Sequence, residues 1–182
     1  MRVEHDIEKI NRENFRSSLE ALARPGEPQP ILPLFDSGLL AMASVFLYAE
    51  VTHYYRGNLE FDMIRALCGS HQTTVDQADY LFLDALSVEH LQLAKSGTAE
   101  SPELSATIVC GLNDQLRHQA SARLTGPGIK DYRDTTLPFD ANYAQLLTEK
   151  NEQFPFGVDL FFVSPDNMLF GLPRTTKIEV LP

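Results

Sequence analysis

The chain has no tryptophan, only two cysteines, and 15 lysines and arginines against 25 aspartates and glutamates in 182 residues. Each shortage removes a class of function. At a formal net charge of −10 there is no surplus of cations to neutralise phosphates, so nucleic acid is not an expected partner. Cys68 and Cys110 form neither a C-x-x-C pair nor a zinc spacing. Both sit in apolar surroundings and read as reduced, at least partly buried thiols, which suits a cytoplasmic protein. The most apolar run, residues 39–49, falls short of the roughly 17–25 residues that cross a bilayer. It reads as a buried helix, and no membrane association is expected. The N-terminal residues mix acids and bases without an apolar segment, so no signal peptide is expected.

Catalytic signatures are missing as well. There is no G-x-x-x-x-G-K-[ST] phosphate loop and no H-E-x-x-H pair. There is no G-x-S-x-G elbow to present a nucleophilic serine. Gly126-Pro127-Gly128 opens like a dinucleotide fingerprint, but its third glycine position is Asp131. His5, His53, His71, His90 and His118 occur singly, which is the pattern of surface or core histidines rather than metal ligands. No catalytic residue, cofactor or metal is expected.

What is present is a globular composition, 43% hydrophobic and 22% charged, enough for a core without disulfides or metal. The length fits a single domain over residues 1–182. Ile7, Ile10, Phe15, Leu19 and Leu22 fall near helical spacing, with Asn11 or Asn14 as a cap. Residues 25–33 are proline-rich and extended, and Asp36 or Ser37 opens the apolar helix. Strands are expected at 51–55, 73–75, 80–83, 105–112, 120–125, 157–163, 168–172 and 175–180. Helices are expected around Leu59–Leu67, after Ser87 and after the cap Asp140, and Asn113–Asp114 is expected to turn the chain. Strands alternating with helices early and clustering late predict an α/β fold, with a mixed sheet covered by helices.

Two strings could bind an anion. The Gly126-Pro127-Gly128 turn lets backbone N–H groups approach a ligand, although turn chemistry alone explains it better. It lies in the stretch from Arg117 to Arg133, which holds four basic residues and one acid. Leu172-Pro173-Arg174-Thr175-Thr176 sets an arginine beside two hydroxyls and could grip a phosphate or carboxylate. The alternative is a strand entrance with Arg174 in a structural salt bridge. Asp159, inside an apolar strand, needs a partner, and Arg174 is the expected one.

Several strings, in order, resemble one family, the phosphonate-metabolism protein PhnH. They are Phe15-Arg16 with Ala23-Arg24-Pro25-Gly26; Ser96-Gly97-Thr98 with Pro102-Glu103 and Ser105-Ala106-Thr107; Leu124-Thr125-Gly126-Pro127-Gly128-Ile129; Pro155-Phe156-Gly157-Val158-Asp159-Leu160; and Leu172-Pro173-Arg174-Thr175-Thr176. The resemblance implies a fold similar to the large domain of pyridoxal-phosphate-dependent transferases, without the machinery to hold that cofactor. It implies a homodimer that joins the G, I and J subunits of carbon–phosphorus lyase. With G, I and L the family supports synthesis of α-D-ribose 1-methylphosphonate 5-triphosphate from ATP and methylphosphonate, releasing adenine. The later radical step needs an iron–sulfur cluster, which two cysteines cannot hold. The chain looks shortened relative to longer members around residues 35–52. The expectation is an auxiliary subunit, with Arg24, Gly126, Gly128, Arg174, Thr175 and Thr176 as candidates for contact with a partner or a phosphorylated small molecule. A pyridoxal-phosphate enzyme is the competing reading, with Lys95 and Lys130 as its candidate lysines.

Overall fold

A computed structural model of the chain describes residues 2–112 and 119–182. The first strands are β1 (Gln29–Pro30), β2 (Thr52–Arg56), β3 (His71–Gln72), β4 (Tyr80–Leu83) and β5 (Thr107–Gly111). There follow β6 (Ala120–Thr125), β7 (Arg133–Leu137), β8 (Asp159–Val163), β9 (Met168–Leu172) and β10 (Lys177–Val180). The helices are α1 (Arg2–Ala23), α2 (Gly38–Phe46), α3 (Asp62–Cys68), α4 (Val88–Leu93) and α5 (Ala141–Lys150).

Seven strands form a mixed sheet in the order β1-β9-β8-β5-β4-β2-β3. β3, β2, β4, β5 and β8 run parallel, while β9 is antiparallel to both β8 and β1. A smaller antiparallel sheet has the order β10-β6-β7. The central strands are apolar throughout because both faces are covered. Phe82, Val109, Phe161 and Val163 pack on the side of α1, α2 and α3. Leu81, Leu83, Ile108, Cys110, Leu160 and Phe162 pack on the other side, with α4, α5 and the small sheet. The mixed α/β architecture is thus as the residue pattern predicts.

Several local expectations change. Ser37, not Asp36, caps α2, its Oγ accepting the Leu40 N–H at 3.2 Å. Neither Asn11 nor Asn14 starts a helix, because α1 already runs from Arg2. Asn14 is instead fully buried. Its amide donates to the Leu32 carbonyl and accepts the Leu32 N–H, both at 2.8 Å, which ties the extended segment to α1. Phe15 and Leu19 are about half exposed, while Asn14, Ser18 and Ala21 turn inward. The strand expected at 73–75 lies earlier, as β3. β7, with its polar alternation, carried no strand expectation, since cross-strand pairing with β6 rather than propensity forms it. The turn at Asn113–Asp114, and Arg117 and His118, lie outside the described residues.

The crossovers place the site. From β2 the chain passes through α3 to β3 on one side, and from β4 through α4 to β5 on the other. Connections that diverge from neighbouring parallel strands open a crevice beyond their carboxyl ends, where α/β sheets bind ligands.

Candidate functional site

That crevice is present. Two cavities of about 400 and 590 Å³ meet there, sharing Asn58 and Asp84 as lining residues. They are bounded by the ends of β2, β4, β5 and β8, by the start of α2 and by the turn before β9. Asp84 follows β4 directly and anchors the wall above β2, its Oδ2 accepting the Asn58 N–H at 2.8 Å. Tyr55 Oη accepts the Leu59 N–H at 2.6 Å, and its ring stacks on Phe61. Burial raises the Tyr55 pKa, against the lowering bond from Leu59, and keeps the phenol protonated. Gly57 lets this loop close. A β-carbon there would lie 2.4 Å from Asp84 Oδ1 and 2.5 Å from the Tyr55 hydroxyl.

The opposite wall is strained. The Leu34 and Ser37 backbones bond reciprocally around a turn whose central residues, Phe35 and Asp36, have φ of 51° and 56°. Asn167, facing them, has φ of 60°. Left-handed backbone costs roughly 1–2 kcal/mol at a residue with a β-carbon, and such strain gathers at binding and catalytic sites. It holds Asp36 at the crevice, and the preceding Phe35 is about half exposed.

Ser87 and His90 line the larger cavity. Ser87 Oγ lies 2.9 Å from His90 Nδ1 and accepts the His90 N–H at 3.3 Å. This is the N-cap of α4, and His90 is 3% exposed. Burial, then the Arg56 charge, lower the His90 pKa against the pull of Glu89, so the ring is neutral near pH 7. The pair joins a hydroxyl and an imidazole, with the Ser87 oxygen accepting at the helix start while its O–H is within reach of His90 Nδ1. Among the described residues no group of three or more His, Cys, Asp or Glu could hold a metal.

The residues singled out in the sequence lie at the other end of the sheet. Arg174 pairs with Asp159 as expected, Nη2 to Oδ2 at 2.5 Å and N–H to Oδ1 at 2.8 Å. Its Nη1 reaches the carbonyls of Pro102 and Pro155 at 3.2 and 3.5 Å, so one guanidinium joins three separate strings. Gly126 packs on the Thr175–Thr176 backbone, where a β-carbon would lie 2.8 Å from the Thr175 carbonyl oxygen. Gly128, at φ 82°, fits against Ala23, whose carbonyl oxygen would lie 2.0 Å from a β-carbon. Arg24 is exposed and pairs with Glu20 at 3.3 Å. Thr176 is buried, and its Oγ has no partner among the described residues. The string from Ser96 joins the same end, its carbonyl accepting the Gly157 N–H at 3.0 Å. A groove of about 640 Å³ runs beside this knot, with Phe154, Pro127 and Ile178 among its walls.

The candidate cofactor lysines are placed otherwise. Lys95 Nζ is 2.5 Å from Asp79 Oδ1, and Lys130 is exposed. The crevice residues Asp84, Asn58, Asp36 and Asn167 went unremarked as site residues in the sequence. The one signal for them was the position of 57–58 and 84 just after expected strands.

Comparison with known proteins agrees with the strings gathered in the knot. HtxG of Stutzerimonas stutzeri, by its name a C-P lyase subunit protein, is 29% identical over 172 residues, covering 91% of this chain and 84% of that protein. A family model matches residues 5–179, nearly the whole of both sheets. The chain therefore belongs to the family described as bacterial phosphonate metabolism protein (PhnH).

Proposed function

We propose that this protein is an auxiliary subunit of a carbon–phosphorus lyase system. With G, I and L subunits it would support synthesis of α-D-ribose 1-methylphosphonate 5-triphosphate from ATP and methylphosphonate, with release of adenine. The carrying observation is the family match over residues 5–179. The name of the HtxG relative supports the assembly role. In this reading the chain is one domain, is cytoplasmic, forms a homodimer and meets G, I and J subunits. Its fold is similar to the large domain of pyridoxal-phosphate transferases. The end bearing Gly126, Gly128, Thr175, Thr176 and Arg24 is the partner face, supported by the adjoining groove and the 69% exposed Phe154. Arg174 organises that face rather than meeting an anion, since its guanidinium is already committed to Asp159.

Deletion of the gene followed by growth on methylphosphonate as sole phosphorus source tests the role. Loss of growth, restored by the intact gene, is expected. Ribosyl transfer from ATP by the isolated chain would overturn the auxiliary assignment.

A further inference from the structure

The crevice at the ends of β2 and β4 has a chemistry of its own. Carboxylates (Asp36, Asp84) and amides (Asn58, Asn167) line it. Carboxylate and amide oxygens accept from hydroxyl groups, and amide N–H groups donate back. Among the described residues, those lining these cavities include three acids, Asp36, Asp84 and Glu89, and one cation, Arg56. His90 adds no positive charge, since burial and then the Arg56 guanidinium hold it neutral. The charge of these described residues disfavours an anionic group, and the chain as a whole is strongly acidic.

We infer that the crevice binds the hydroxyl-rich ring of a sugar, with Asp84 as the hydroxyl acceptor, and leaves any phosphate of that sugar outside, for a neighbouring chain to neutralise. The inference rests on the proposed assembly role and deepens it, dividing one ligand between this protein and its partners. The wall is prepared for this. Asp84 is fixed through the Asn58 N–H, and the loop behind it by Tyr55, so little ordering remains to be done on binding.

The test is an amide-shift NMR titration of the full isolated chain with D-ribose, D-ribose 5-phosphate and inorganic phosphate. D-ribose should shift the amides of Asn58, Gly111 and Asn167. D-ribose 5-phosphate should bind the same residues roughly threefold more weakly at low salt, the difference closing at high salt as the carboxylates are screened. Inorganic phosphate should leave these amides unmoved. Asp84→Asn keeps an oxygen for the Asn58 N–H and removes one charge, so it should weaken ribose and narrow the penalty on the phosphate. Phosphate-bearing sugar binding more tightly than ribose to the isolated chain would overturn the inference, as would ribose that moves none of these amides. A strain that grows on methylphosphonate without the gene would instead sink the assembly role, leaving the titration result standing by itself.

Discussion

The two ends of the parallel sheet spend their polar groups differently. At the amino ends of the strands, Asp159, Arg174, Asp79 and Lys95 are paired. Glycines there are in backbone contact, and loops from five parts of the chain are tied together. At the carboxyl ends, Asp84 and Asp36 line open space, and three residues with side chains hold left-handed backbone. Each Arg174–Asp159 side chain is less than a fifth exposed, so the pair is one whose rupture is costly. The crevice keeps hydrogen-bonding capacity unused, which is what a ligand requires. The contrast sets a tied end, which also carries the proposed partner face, against an open end that carries the proposed ligand crevice.

Breaking the knot should give the largest effect. Arg174→Ala leaves Asp159 with only the backbone N–H of residue 174 and two carbonyls without their donor, and should cost about 3 kcal/mol in urea unfolding. A loss under ~1 kcal/mol would mean the knot is not the structural end. Gly128→Ala should follow at about 2 kcal/mol, since φ and the Ala23 carbonyl both oppose a β-carbon; the same unfolding measurement reads it.

Asp79 sharpens the comparison through pH. Burial by itself raises its pKa, but the bonds from Lys95 and Thr52 outweigh this and hold the carboxyl below its ordinary value. The contribution is therefore complete above the unfolded carboxyl value of about 3.9 and is lost as pH falls through the lower folded value. Asp79→Asn should lower the melting temperature at pH 6 by the equivalent of about 1 kcal/mol. The melting curves of variant and parent should converge as pH falls through the lowered folded value. Curves that stay parallel across the whole acid range would contradict the pairing.

The smallest effect has the opposite sign. Phe35→Gly relieves a left-handed residue but frees the unfolded chain, so stability should rise by no more than about 1 kcal/mol. A marked loss of stability would place Phe35 with the structural end instead.

Much of the first end was legible in the sequence. Asp159 inside an apolar strand demanded a cation, and Arg174 was the expected one; Gly126 and Gly128 marked a turn, but their packing on the Thr175 and Ala23 backbone was not foreseen. The caps Ser87 and Asp140 were legible too, because a cap is a local bond between residues three apart. The crevice was not legible. Asp84, Asn58 and Asn167 are ordinary turn residues in one dimension, and Phe35 is an unexpected residue for positive φ.

The sequence by itself determined most of the elements and the apolar core strands. Runs such as 80–83 and 159–163 are apolar enough to demand burial on both faces, and that demand is local. The tertiary structure alone decided that α3 and α4 leave neighbouring strands in opposite directions. That divergence brings residues 36, 58, 84 and 167 around one space. A crevice arises where chain connections part, and the direction of a crossover is settled by packing across the whole sheet, not by the residues that end up lining the gap.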